Sequence, residues 1–252
     1  MSGHSKWSTI KRQKGANDAK RGALFTKLAR EIITAARNGG ADVEANHRLR
    51  MAVDKARQNS MPADNIKRAI EKATGSGADA EQYEEVTYEG IGPANVAVIV
   101  AAMTDNRNRT ASEIRSTFSK VGGSLSNVAW QFELKGVISL PLNGQDPDDV
   151  TLTAIDAGAA DVGAPEAGSI VVSTEPGDLE TVRQALAAAG HEAESAELSM
   201  EPTTTIAITD EKQARAVLQF MERLEDLDDV QNVYANFDIP AELMEQLEAQ
   251  VA

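Results

Sequence analysis

Residues 96–123, VAVIVAAMTDNRNRTASEIRSTFSKVGG, carry two periodicities in succession, and the change from one to the other decides the fold. The first eight residues are unbroken apolar sequence, which is far short of the roughly 20 that a membrane helix needs but matches the length of a strand buried on both faces. Ile114, Phe118 and Val121 then recur at helical spacing. Thr110-Ala111-Ser112-Glu113 spells a capping box ahead of them, and Gly122-Gly123 supplies a stop. The flanks repeat the strand signal: YEEVTYEG at 83–90 alternates, and Val128, Trp130, Phe132 and Leu134 recur at period two. On this reading Trp130 and Phe132 belong to the core of a sheet.

Further toward the C-terminus the pattern spells β-α-β-β-α-β, with strands at 137–142, 161–163, 169–174 and 192–200 and helices near 148–158 and 178–189. That order is the ferredoxin-like split βαβ unit. After Pro202 come a strand at 204–209, a helix at 210–224, a strand at 230–237 and a short helix after Pro240. Alone this tail has too little apolar surface to stand, so it is expected to complete the sheet begun before residue 134, with the ferredoxin-like unit as an insertion. Toward the N-terminus three amphipathic helices are expected. The first runs over 17–37, burying Leu24, Phe25, Leu28, Ile32, Ile33 and Ala36, and ends at Gly39-Gly40. Leu49 and Val53 mark the second, while Pro62 opens the third, which carries Ile66 and Ile70. GSGADAEQ at 75–82 has the composition of a linker. The fold class is therefore α+β in three parts: a helical bundle at 1–78, an α/β middle domain at 79–134 and 203–240, and a ferredoxin-like domain at 135–202 inserted into it, with a helical tail at 241–252.

Charge divides the chain along the same lines. The formal net charge is −14, yet residues 1–30 hold eight Lys or Arg against Asp18, and residues 1–72 hold 16 against seven acids. Lys6, Lys11, Arg12, Lys14, Lys20, Arg21, Lys27 and Arg30 are the candidate contacts. The ordinary fate of a charged run is a solvated helix face, with Lys20, Lys27, Arg30 and Arg37 opposite the apolar stripe. Such faces intersperse acids as i,i+4 partners, and here acids are nearly absent before Glu31. A polyanion relieves the repulsion, and screening over roughly 8 Å lets the basic part act apart from the acidic body. Irregularly spaced Lys and Arg suit phosphate backbone, not base edges. Arg107 and Arg109 precede the helix start at Thr110, where the macrodipole favours anions. They form a second candidate phosphate site, or else pair with Asp105, Glu113 or acids of another domain. Trp7 and Phe25 read as a hydrophobic clasp in preference to base-stacking groups.

Other functions find little support. GIGPAN at 90–95 lacks the third glycine of a dinucleotide fingerprint and leads into a strand. His4, His47 and His191 lack metal-ligand spacing, and no cysteine is present for thiolate or disulfide chemistry. Asp148-Asp149 and Asp228-Asp229 fit capping or turn roles. Residues 136–200 contain no aromatic and one cation, Arg183, so the ferredoxin-like unit lacks the stacking platform of RNA-recognition folds. It reads as an acidic platform for protein contacts or for geometry. The expectation is a non-enzymatic protein without cofactor or metal. The acid-poor start also has the composition of a mitochondrial transit peptide, but its scattered glycines and Trp7 favour a cytoplasmic protein.

Three long blocks, GHSKWSTIKRQKGANDAKRGALFTKLAREI, NHRLRMAVDKARQNSMPADNIKRAIEKATG and YEGIGPANVAVIVAAMTDNRNRTASEIRSTFSKVGGSL, resemble the YebC family in sequence and order, as does VQNVYANFDIP near the end. The resemblance covers most of the chain, with 146–202 its weakest part. It implies three domains with the ferredoxin-like one inserted. It also implies either DNA-binding transcriptional regulation or ribosome-associated translation, in which ribosomal RNA is bound and stalls at proline-rich sequences are relieved. The family's basic motif falls on Lys6, Lys11, Arg12, Lys14, Lys20, Arg21 and Lys27. Ala23 stands where relatives often carry Lys, and His47 where Pro is usual. The acidic domains would meet ribosome- or RNA-polymerase-associated proteins; a protein-interaction adaptor working through that acidic surface is the rival reading.

Overall fold

The computed structural model describes residues 18–74, 83–166 and 168–249. Helices α1 (Asp18–Gly39), α2 (His47–Gln58) and α3 (Ala63–Thr74) form the bundle. Its core is the expected stripe: Leu28, Ile32, Ile33, Leu49, Val53 and Ile66 are buried together. Leu24 lies outside that core, exposed.

The α1–α2 corner turns on Asn46. Its side chain accepts from the Leu49 N–H at 3.1 Å and caps α2, while its amide donates to the carbonyls of Ala35 and Gly40 at 2.9 and 2.7 Å. Gly39 is needed beneath it, because a Cβ there would lie 2.6 Å from the Asn46 amide nitrogen. Asn46→Ala removes the cap and leaves the buried Ala35 carbonyl and the half-buried Gly40 carbonyl short of a donor, so a loss of about 2 kcal/mol is expected, read from the urea midpoint.

The middle domain is built on a four-stranded antiparallel sheet in the order β3-β1-β2-β9, with β1 Glu84–Ile91, β2 Ala97–Thr104, β3 Ser124–Leu125 and β9 Val230–Ala235. Helices α4 (Arg107–Lys120) and α7 (Glu211–Glu225) cover one face, where Val98, Val100, Phe118, Val217, Phe220 and Val233 meet. On the other face Ala97 and Ile99 pack against Val128 and Phe132. Burial from both sides explains why β2 is a continuous apolar run. β9 pairs with β2, so the tail does complete the sheet. A short parallel pair, β8 (Ile206–Ala207) with β10 (Phe237–Asp238), and helix α8 (Ala241–Ala249) close the domain.

Between these halves, β4 (Phe132–Pro141), α5 (Pro147–Asp156), β5 (Asp161–Val162), β6 (Ser169–Thr174), α6 (Leu179–Ala188) and β7 (Ser195–Pro202) form a sheet in the order β5-β6-β4-β7. Both helices pack on its core of Ile138, Leu140, Val150, Ile170, Val172 and Leu186. Phe132 on β4 faces Pro202 on β7, so the chain enters and leaves this unit through adjacent, paired strands. An insertion is accommodated in this way without disturbing the parent sheet.

Two expectations about the middle domain fail. The period-two run at 128–134 is not one strand. Residues Ala129–Gln131 form a 3-10 turn, and Trp130 is 76% exposed where a core position was expected. The backbone N–H groups of Val128 and Ala129 instead donate to Glu89, which fixes the turn and aims Trp130 outward. The second failure is the start of α4, which lies one turn earlier than the capping box, at Arg107. Asn106 is the cap, accepting from the Arg109 N–H at 3.1 Å. Thr110 is consequently buried inside the first turn, where its hydroxyl has other partners.

Candidate nucleic-acid interface

Of the residues singled out from sequence, Lys6, Lys11, Arg12 and Lys14, together with Trp7, lie outside the described residues. Lys20 and Arg21 occupy the start of α1, where Arg21 is exposed. Lys27 and Arg30 do not share an outward face as expected. The Lys27 ammonium donates to the Glu225 carbonyl at the C-terminal end of α7, and Arg30 donates to the Asp228 carbonyl, both at 2.5 Å. Lys27, seated on the last carbonyl of the helix, meets both an unpaired acceptor and the negative end of the dipole, while Arg30 is seated on the turn that follows the helix. These two residues therefore fasten the bundle to the middle domain.

Asp229 is the centre of that junction. It is 2% exposed. One carboxylate oxygen accepts from Arg30 at 3.1 Å; the other accepts from Arg109 at 2.7 Å, Thr110 at 2.6 Å and Thr104 at 3.0 Å. Burial alone would push this carboxyl up, but the hydroxyls of Thr110 and Thr104 and the Arg109 guanidinium outweigh it and hold the pKa below the usual carboxylate range. Arg109 also pairs with Asp105 at 2.7 Å, and its pKa is raised by its hydrogen bonds to both carboxylates. Its charge is thus met from within the chain, through Asp105 and Asp229. Arg107 is 3.5 Å from Glu84 in a solvent-exposed pair. The turn role read for Asp228-Asp229 is too small: Asp229 joins three segments, which no local pattern around it encodes.

A second junction ties the bundle to both other units. Lys55 on α2 pairs with Glu31 on α1 at 3.2 Å. Burial pulls its ammonium down, yet Glu31 and Glu197 of β7 together raise its pKa above the ordinary value. Nearby Tyr234 of β9 is pushed up to about 12 by burial and by the Glu197 charge. Met51 reaches the core of the inserted unit. Among the described residues, no group of three or more His, Asp or Glu is arranged to hold a metal ion, and no helix is long and apolar enough to cross a membrane.

Sequence comparison agrees with this architecture. The family described as TACO1/YebC protein N-terminal domain matches residues 5–76, and that described as TACO1/YebC second and third domain matches residues 83–237. The chain belongs to the YebC family. A YebC-family relative from Trichlorobacter lovleyi, named probable transcriptional regulatory protein, is 54% identical over 250 residues, covering 98% of this chain and 100% of the relative. One of the same name from Rubrobacter xylanophilus is 53% identical, covering 98% and 99%. A crystal structure of a conserved hypothetical protein from Aquifex aeolicus superposes with a TM-score of 0.80 at 45% identity, covering 88% of this chain and 92% of that one. These full-length matches extend across the inserted unit, the part where the sequence resemblance was weakest.

Proposed function

We propose that this YebC-family protein is a regulator of gene expression that holds the phosphate backbone of DNA with its N-terminal bundle. The observation that carries the reading is the charge distribution: 16 Lys or Arg against seven acids in residues 1–72 of a chain whose net charge is −14. The names of its relatives support the regulatory role. The contact set is Lys6, Lys11, Arg12, Lys14, Lys20 and Arg21, with Arg107 as an outlying member. Lys27, Arg30 and Arg109 act through the junction that orients the bundle. The acidic remainder repels nucleic acid and so confines contact to the basic end, leaving its own surface for protein partners. Cytoplasmic action fits this role.

Binding to duplex DNA and to ribosomal RNA, measured across a salt series, tests the proposal. About six neutralised phosphates give a slope of log K against log salt near −5. Lys11→Glu with Lys14→Glu should flatten that slope by about two. Lys27 is unsuitable for reversal because it caps α7. A steeper response on RNA would move the protein to translation. A salt-independent signal, or no binding to either polymer, overturns the proposal, and function that survives the reversal favours the adaptor.

A further inference from the structure

A cleft of about 350 Å³ opens between α1 and α3, beside the start of β1. Its walls include two half-buried aromatic rings, Phe25 and Tyr83, three cations, Arg30, Arg68 and Lys72, and the amide of Asn65. Among the described residues no acid lines it, although the chain as a whole is strongly acidic. The Arg30 guanidinium lies 5.4 Å from the centroid of Tyr83, forming a cation-π platform. Arg68 is exposed and makes no ion pair among the described residues. Its guanidinium is positioned by the Asp64 carbonyl at 3.2 Å and by the side-chain oxygen of Asn65. That hydrogen bond uses the oxygen of Asn65 and leaves its amide N–H groups as donors.

We infer that this cleft is a nucleotide pocket: it takes one unpaired base of the bound nucleic acid against Tyr83 and Phe25, with the adjoining phosphate held by Arg68 and Lys72. The volume is at the small end of the range of about 300–1,000 Å³ for ligand sites, right for a single nucleotide and too small for a strand. Aromatic rings and guanidinium planes receive unstacked bases in single-stranded recognition, and an uncompensated guanidinium suits phosphate. The inference rests on the nucleic-acid reading and adds to it a preference for unpaired over fully paired polymer.

The full chain is titrated with three labelled probes of equal length: a paired DNA duplex, the same DNA with one bulged nucleotide, and an RNA hairpin with one bulged nucleotide. The wild type should favour the bulged probes. Tyr83→Ala should weaken bulged binding about tenfold, the loss of one base stack, while leaving the paired duplex within about twofold. Tyr83→Phe keeps the ring and should behave as wild type. Arg68→Gln with Lys72→Gln, both at exposed positions, should flatten the salt slope by one to two on bulged probes alone. The two bulged probes separate a DNA from an RNA source. Equal affinity for paired and bulged probes, or equal losses on both with Tyr83→Ala, overturns the pocket while leaving backbone binding intact. Absence of binding to every probe overturns both readings together.

Discussion

Asp229→Asn is expected to lower stability by about 3 kcal/mol, seen as a fall in the urea midpoint, and to loosen the bundle from the middle domain. The substitution keeps the shape and removes the charge. Arg30, whose side chain is 16% exposed, then loses its carboxylate partner, and Arg109 keeps only Asp105. Breaking one partner of a buried pair costs more than the pair itself contributes, because the remaining charge stays desolvated. Hydrogen exchange in α1 and in the first turn of α4 should rise together, since one carboxylate holds both. The pH dependence has a definite sign. A carboxyl whose folded pKa lies below its unfolded value stabilises fully above the unfolded value, near 3.9 for Asp, and the contribution disappears as pH falls through the folded one. The wild type should therefore lose the Asp229 contribution only below about pH 4, and Asp229→Asn should show a flatter acid limb. An unchanged midpoint would mean that Thr104 and Thr110 alone hold the junction.

Most of the fold was legible because it is written in local periodicity. The stripe of α1, the two-sided run of β2 and the alternation of the inserted strands each state their own burial, and strand pairing only assembles them. What failed has a common cause. Trp130 followed a period-two pattern, but the N–H groups of Val128 and Ala129 just before it are committed to Glu89, 39 and 40 residues earlier in sequence. Lys27 and Arg30 fell on the polar side of a correct helical wheel. A wheel separates polar from apolar and cannot say whether the polar side faces water or the end of another helix. Asp229 is invisible for the same reason, since the side chains that meet its carboxylate lie more than 100 residues away. Arg68 and Lys72, one turn apart on α3, could have been noticed as a basic i,i+4 pair; what could not be seen was that Phe25 and Tyr83 close the same cleft.

Phe220→Ala is the substitution with the largest expected effect, a loss of about 4 kcal/mol. The ring is 1% exposed and meets Phe118 edge-to-face at 5.0 Å and 81°, so its removal costs both transfer energy and an aromatic contact. It also dictates the chain opposite. A Cβ at Gly92 would lie 2.5 Å from the ring, so glycine follows β1 because Phe220 fills the space. Two measurements separate this account from general core damage. In the wild type, Gly92→Ala should cost about 1–3 kcal/mol by overpacking. In the Phe220→Ala background the same change should cost almost nothing, because the methyl enters the vacated volume. The coupling energy between the two sites is then about 1–3 kcal/mol and favourable. Additive losses would place the strain of Gly92→Ala in the backbone of the turn. The effect also reaches the interface, since Phe220 packs the helix whose last carbonyl receives Lys27. Loosening α7 withdraws the seat of the bundle, and the affinity of the variant for bulged probes should fall before that for paired duplex, because Arg30 both anchors the seat and forms the platform with Tyr83.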